Sequence, residues 1–320
     1  MLGGTMKIGS SAARAAVVLG LGVSLAGCNY VNEIRAKKSA RDAHGFYQKN
    51  DWRAAAAKYE EAIQLNPEAG DLYFYLGNSY DNLYRPTRRG EATNDGYLEK
   101  AIANYKLGAE RSDTPVVKQR SLQYLVNSYG SDKLNDPTQA EPVVKAMIQM
   151  EPNEPTNYFV LAKLYADSGE YEMAEQTYLK AKEVRPNDPA VYMQLAGFYN
   201  TQGDFDKTIA AVNDRTKIEP NNPEAFQTLA TYYWDKAYRD FRLTDKDKMQ
   251  YVMSGLDAVN KAIEIKPDYM EAVAYKNLLL RLQANLEKDP KRQQQLLREA
   301  DQLRDRAETL RKQKAAGASD

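Results

Sequence analysis

PTNYFVLAKLYADSGEYEMAEQTYLKAKEVRP (155–186) and PAVYMQLAGFYNTQGDFDKTIAAVNDRTKIEP (189–220) superimpose without a gap, and that match decides the fold. The closing prolines, Pro186 and Pro220, lie 34 residues apart. Tyr158 falls on Tyr192, Leu161 on Leu195, Ala162 on Ala196, Tyr165 on Tyr199 and Gly169 on Gly203. Self-similarity at a fixed period of this size marks a stacked array whose unit is one supersecondary element.

The unit reads as a helical hairpin. Tyr192, Leu195, Ala196 and Tyr199 stand at i, i+3, i+4 and i+7, one face of a first helix. Small Ala196 lets a second helix approach closely, and Gly203 ends the first where a positive φ is cheap. Ile209, Val212 and Ile218 then face the same core from the second helix. Pro220 stops it, and Asn221-Asn222-Pro223 opens the next hairpin. The fold class expected is therefore all-α.

These residues resemble the tetratricopeptide repeat, and the likeness extends over about residues 36–285. Residues 36–67 carry Ala43, Phe46, Trp52, Ala55, Tyr59, Ala62 and Pro67, with Asn50 where the turn glycine is usual. From Asp71 a unit begins with Tyr73, Leu76, Gly77 and Tyr80, but its second helix (Ala101, Tyr105) arrives late. Residues 122–152 form a degenerate copy on Leu122, Leu125 and Tyr129. Residues 223–267 start on Phe226, Leu229, Ala230 and Tyr233 and carry a second insertion before Val259, Ala262 and Ile265. After Pro267, Val273, Leu279 and Leu280 mark a first helix without a recognisable partner. The resemblance implies a right-handed α-solenoid of six to seven hairpins over residues 39–285, with insertions near 84–97 and 236–250. In 286–320, Leu296, Ala300, Leu303, Ala307 and Leu310 alternate four and three apart. This stripe suits a helix capping the last hairpin, which solenoids require, or a homodimeric coiled coil.

The N-terminus has a different logic. Lys7 and Arg14 precede an apolar run that is too short to span a bilayer and ends in Leu25-Ala26-Gly27-Cys28, the layout of a secretory signal. It resembles a bacterial lipoprotein signal, which implies removal of residues 1–27 and a diacylglycerol on Cys28. The alternative is an ordinary signal with a chance cysteine. Cys28 is the single cysteine, so the exported chain forms no internal disulfide. Residues 28–38 would be a tether of at most about 35 Å if extended. A residue other than Asp at Asn29 implies, by likeness to enteric-type lipoproteins, an outer-membrane location facing the periplasm.

Catalytic chemistry is sparse. His44 is the only histidine, so neither a Cys-His pair nor a conventional zinc site can be assembled, and no glycine-rich phosphate loop is present. No cofactor, metal or catalytic residue is expected, and the chain is read as non-enzymatic. Lys plus Arg equals Asp plus Glu at 44 each, giving no field that recommends nucleic acid.

Binding is the better expectation. Tetratricopeptide arrays generally bind extended or helical peptides on the concave face of their first helices. By that resemblance Phe74, Phe159, Met193 and Trp234 face the groove, with Asn78, Lys163, Asn200 and Asp235 on the same side. Phe74 stands where the carboxylate-clamping relatives carry lysine, so a peptide with apolar side chains fits better than one held by its terminus. The same aromatic residues could instead be core. In the first insertion, Arg85, Arg88 and Arg89 could grip a carboxylate or phosphate, or be incidental charge on a polar loop. The second insertion reads as a longer helix pair, with Thr244 and Asp247 at capping-box spacing.

The reading is a membrane-anchored scaffold or adaptor for envelope proteins, with homo-oligomerisation through the C-terminal helix a further option. Lipoproteins with such arrays include pilus-assembly pilotins and parts of outer-membrane protein insertion machinery, which is likeness of fold and not of site. The alternative from another class is an accessory or hydrolytic role on cell-wall or secreted polymers.

Overall fold

A computed structural model describes the backbone of residues 11–317 and the side chains of residues 30–317. Every regular element among the described residues is helical, and the fold is an α-solenoid of tandem hairpins. The chain divides into two compact units, Met1–Pro152 and Asn153–Asp320.

The first unit pairs α1 (Ser11–Gln48) with α2 (Trp52–Leu65), α3 (Gly70–Leu83) with α4 (Ala92–Arg111), and α5 (Pro115–Ser128) with α6 (Pro137–Met150). The second pairs α7 (Pro155–Asp167) with α8 (Tyr171–Val184) and α9 (Pro189–Thr201) with α10 (Phe205–Ile218). Beyond these, α11 (Pro223–Arg239) pairs with α12 (Asp245–Ile265), and α13 (Met270–Leu286) with α14 (Pro290–Gly317).

The punctuation follows from local chemistry. Gly169 and Gly203 take φ of 80° and 74°, and Asn50 takes the same left-handed place at 58°. In each turn the amide after that residue donates to the carbonyl at the end of the first helix: Asp51 to Phe46, Glu170 to Tyr165, Asp204 to Tyr199. This is the longer bond of a Schellman motif. Pro155, Pro189 and Pro223 open their helices, where the lost N–H has no partner to miss. Glu154, Asp188 and Asn222 cap them, accepting from Thr156, Ala190 and Glu224 amides at 3.1, 2.9 and 3.0 Å.

The core takes the expected face, with Ala162, Ala196 and Ala230 fully buried between their helices. Ile209 and Ile218 are only half-buried, and Thr208 occupies the interior beside Val212. The surplus of tyrosine, 23 against 7 Phe, has a structural use. Tyr73 and Tyr192 each donate to the proline carbonyl six residues back, Pro67 at 3.2 Å and Pro186 at 2.6 Å. Tyr80 donates to Glu60 of the preceding hairpin at 2.5 Å and Tyr199 to Glu175 at 2.9 Å, fixing neighbour to neighbour. Lys100 and Lys207 cover those two rings at 4.7 and 5.1 Å.

Three segments outside the regular repeats take more definite form in the structure. Residues 30–38 are helical, as part of α1, where Glu33 pairs with Lys37 at 2.7 Å and Ala36 is buried, so the reach of this stretch is shorter than the extended limit. The side chain of Cys28 and residues 1–10 lie outside the described residues. The first insertion, near 84–97, is part connection and part helix: 84–91 join α3 to α4, with a 3-10 turn at Pro86–Arg88, and the rest lengthens the front of α4. Finally, α13 does have a partner. In α14, Leu296 and Ala300 are 1% and 0% exposed, Gln293 donates to the Ala284 carbonyl at 2.9 Å, and Arg281 meets Asp301 at 2.6 Å. Leu303, Ala307 and Leu310 are half-covered. The C-terminal helix is thus the second half of the last hairpin.

Candidate partner-binding site

In the first unit the proposed groove residues are interior. Phe74 is 4% exposed and lies edge-on to Tyr75 and Tyr124, with centroids at 5.3 and 5.5 Å. Asn78 is also buried: its Oδ1 accepts from Tyr47 at 2.6 Å and from Asn82 at 3.1 Å, and its Nδ2 reaches the Tyr105 hydroxyl at 3.4 Å. Tyr105 donates onward to Asp81, which holds Lys133 at 2.6 Å. Burial and the Asp81 charge push the Tyr105 phenol well above its ordinary pKa, so it stays a neutral donor. The network ties three helices together and leaves neither Phe74 nor Asn78 for a partner. Sequence spacing put both on the first-helix face, but Tyr105 of α4 and Tyr124 of α5 cover Phe74, and Tyr47 of α1 and Tyr105 cover Asn78.

The arginines of 85–89 do not converge. Arg88 pairs with Glu91, its Nε 2.9 Å from the carboxylate, and this holds the Glu91 carboxyl below its ordinary pKa. Arg89 donates to the Leu134 carbonyl at 2.9 Å, and Arg85 to the Asn82 carbonyl at 3.0 Å. The turn is locked by Asn94, buried, which accepts from the Arg85 amide at 2.8 Å and donates to the carbonyls of Arg85 and Arg88 at 3.1 Å each. An asparagine followed by Asp95 and Gly96 reads as loop in sequence, and only its tertiary bonds disclose the lock.

In the second unit the candidates are accessible. Phe159 is half-buried, tilted against Tyr178 at 6.3 Å, which in turn meets Phe198 at 5.3 Å. Met193, its equivalent in the next hairpin, is half-buried, and a Cβ at Gly197 one turn on would meet nothing within 4 Å. Lys163 and Asn200 are exposed, with Lys163 paired to Asp167 at 2.8 Å. Trp234 stacks on Tyr238 at 4.9 Å and 10° and receives the edge of Tyr275 at 6.0 Å. Asp235 pairs with Arg239 at 2.5 Å. Tyr238, 63% exposed, belongs by sequence to the helix extension of the second insertion, and its place four residues after Trp234 puts it on the same helix face. Thr244 accepts from the Asp247 amide at 3.2 Å, as its spacing predicts.

Family models described as TPR repeat and tetratricopeptide repeat match residues 43–83 and 133–193. Over those stretches the chain carries tetratricopeptide repeats. Among solved structures it is similar to the C-terminal part of a TPR repeat-containing protein from Cytophaga hutchinsonii, at 14% identity and TM-score 0.54 over 82% of this chain and 94% of that one. A tetratricopeptide repeat protein from Parabacteroides merdae gives 15% identity and TM-score 0.46 over 83% and 98%. YrrB, a TPR protein with an unusual peptide-binding site, gives 19% identity and TM-score 0.38 over 68% and 97%. No curated protein matches. At such identities the first of these likenesses speaks to the fold alone. Tetratricopeptide repeats are generally non-catalytic scaffolds for protein–protein interaction. Among the described residues no helix is long and apolar enough to cross a membrane, and no group of three or more His, Cys, Asp or Glu is placed to hold a metal.

Proposed function

We propose that this tetratricopeptide-repeat protein binds a peptide segment with apolar side chains on the first-helix face of its second unit, as a lipid-anchored scaffold for envelope proteins. The observation that carries the reading is the run of accessible apolar side chains on successive first helices: Phe159 on α7, Met193 on α9 and Trp234 on α11, with open space over Gly197. Partly exposed rings on a rigid helical scaffold supply contact area at low entropic cost. The anchor rests on the Leu25-Ala26-Gly27-Cys28 sequence. Attachment through more than one acyl chain would hold the protein stably at a membrane, at about 0.8 kcal/mol per buried methylene. The location follows the lipoprotein resemblance: the periplasmic face of the outer membrane.

The test is a double variant, Phe159→Ser with Met193→Ser, compared with wild type by circular dichroism and by affinity capture of envelope proteins from detergent extracts. Loss of capture with melting nearly unchanged supports the reading. Capture undiminished removes it, and a fall in stability of several kcal/mol assigns the pair to the core instead. For the anchor, Cys28→Ala is expected to leave the protein soluble or as an uncleaved precursor. Fatty acylation persisting on that variant would refute lipidation at Cys28.

A further inference from the structure

Large apolar side chains are exposed in ones and twos over most of the molecule, which is ordinary for a folded protein. The first turns of α1 with described side chains differ. Tyr30, Val31 and Ile34 are 66%, 53% and 52% exposed, and among the described residues no other stretch of five carries three such side chains. All three lie on α1, whose backbone is already helical at Cys28. Tyr30 and Ile34 stand one turn apart on the same side, and Val31, three residues before Ile34, lies beside it.

The opposite side of α1 is occupied. Ala36, Ser39 and Ala43, at i, i+3 and i+7, are buried where α1 packs on α2, and Glu61 of α2 bonds Ser39. Along the outward side, Lys38 and Arg41 follow Ile34 at i+4 and i+7, with Arg35 and Lys37 on the flanks. All four cations are exposed. Lys37 pairs with Glu33, whereas Arg35, Lys38 and Arg41 make no ion pair among the described residues. Within 30–42 these four cations face two carboxylates, Glu33 and Asp42, so the stretch carries a positive excess in a chain that is neutral as a whole.

An apolar patch with an aromatic member, followed by a basic one along the same helix side, is what interfacial helices present to an anionic bilayer: the apolar groups sink to the headgroup boundary and the cations meet phosphates. Position points to the same occupant. Ile34 comes six residues after Cys28, about 9 Å along the helix axis at 1.5 Å per residue. A diacylglycerol on Cys28 would hold this side of α1 within reach of the headgroups. We propose that the outward side of α1 docks on the surface of an anionic phospholipid bilayer, with Tyr30, Val31 and Ile34 reaching about 5 to 10 Å into the headgroup boundary and Arg35, Lys38 and Arg41 on the phosphates. The lipid is then joined to a seated helix, which gives the α1–α2 hairpin a fixed stance on the membrane. The docking rests on the proposed anchor for its place in the envelope.

The chain extracted from membranes and carrying Ile34→Cys would be spin-labelled and returned to vesicles of mixed phosphatidylcholine and phosphatidylglycerol. Electron paramagnetic resonance then reads collisions with oxygen, which concentrates in lipid, and with a nickel chelate, which stays in water. Glu99→Cys, at an exposed position of α4, is the water-facing control. Oxygen is expected to dominate at 34 and nickel at 99, and adding Lys38→Glu with Arg41→Glu should shift 34 toward nickel. Position 34 as open to nickel as 99, or unmoved by the charge reversal, overturns the proposal. Spin–spin broadening between labels at 34 overturns it too, by giving the face to a second copy. Wild type treated with the same label tests the anchor separately, because a lipidated Cys28 has no thiol to take it up. If Cys28 is labelled, the anchor reading fails and the face is decided by flotation of the chain with the same vesicles. Tyr30→Ser with Ile34→Asp should then lower the bound fraction about tenfold, and equal flotation overturns the docking.

Discussion

His44 shows how much a single residue's setting changes its chemistry. Its Nδ1 is 2.6 Å from the Tyr59 hydroxyl and its ring meets Tyr75 edge-on at 4.9 Å. Burial lowers its pKa below the ordinary 6.5. Between those two values the unfolded chain binds more protons, so the stability present above about pH 6.5 is lost as pH falls through the lowered value. As the only histidine, it should account for the slope of stability between pH 7 and 5. Thermal melts of His44→Gln across that range should be flatter than wild type, and parallel curves would contradict the assignment. Asn50, the other informative residue, was legible in sequence as the stand-in for a turn glycine and is left-handed at φ 58°. Asn50→Gly should be neutral or slightly stabilising, whereas Asn50→Ala should cost about 1 kcal/mol, because a Cβ disfavours that conformation. Urea denaturation of the two variants measures the difference. Tyr84 was not legible: nothing in DNLYRP distinguishes a satisfied phenol from one buried without a hydrogen-bond partner, as this one is.

At the scale of elements, the helix faces were readable where small residues recur at fixed spacing. Ala162, Ala196, Ala230 and Gly77 all occupy the close-approach position of the first helix. In α3 a Cβ at Gly77 would lie 2.9 Å from the Tyr105 ring, while a Cβ on Gly197 of α9 would meet nothing. Gly77→Ala should therefore destabilise by about 1 to 3 kcal/mol through overpacking. Gly197→Ala should stabilise by about 0.5 to 1 kcal/mol through helix propensity. Chemical denaturation of the pair distinguishes them, and equal effects would show that α3 and α9 do not share a register. The partner of α13 escaped the sequence reading for a physical reason. Its turn, 287–289, lacks the left-handed glycine that Gly169 and Gly203 supply in the two regular hairpins, and α14 is so rich in charge that only Leu296 and Ala300 reach full burial. Phe74 escaped in the opposite sense: it has the spacing of a groove residue, but Tyr75 of its own helix, Tyr105 of α4 and Tyr124 of α5 enclose it.

For the whole molecule, an array of hairpins derives its stability from each unit and its immediate neighbours, so the ends matter most. Removing residues 288–320 would take away Leu296 and Ala300, buried where α14 packs on α13, together with the bonds from Gln293 to Ala284 and from Arg281 to Asp301. The truncated chain is expected to melt several degrees lower and to scatter light on heating, and an unchanged melt would mean that α14 is dispensable. The function proposed at this scale rests on the second unit's first-helix face, where Phe159, Met193 and Trp234 are half-buried, as against the first unit, where Phe74 and Asn78 are spent on packing. The most direct measurement is site-specific photo-crosslinking in living cells, with a photoreactive amino acid at Met193 and, as a control, at exposed Lys180 on the second helix of its neighbouring hairpin. A partner-interaction face on the first helices predicts a discrete adduct from position 193 and none from 180. Adducts from 180 alone, or from neither position, would contradict it.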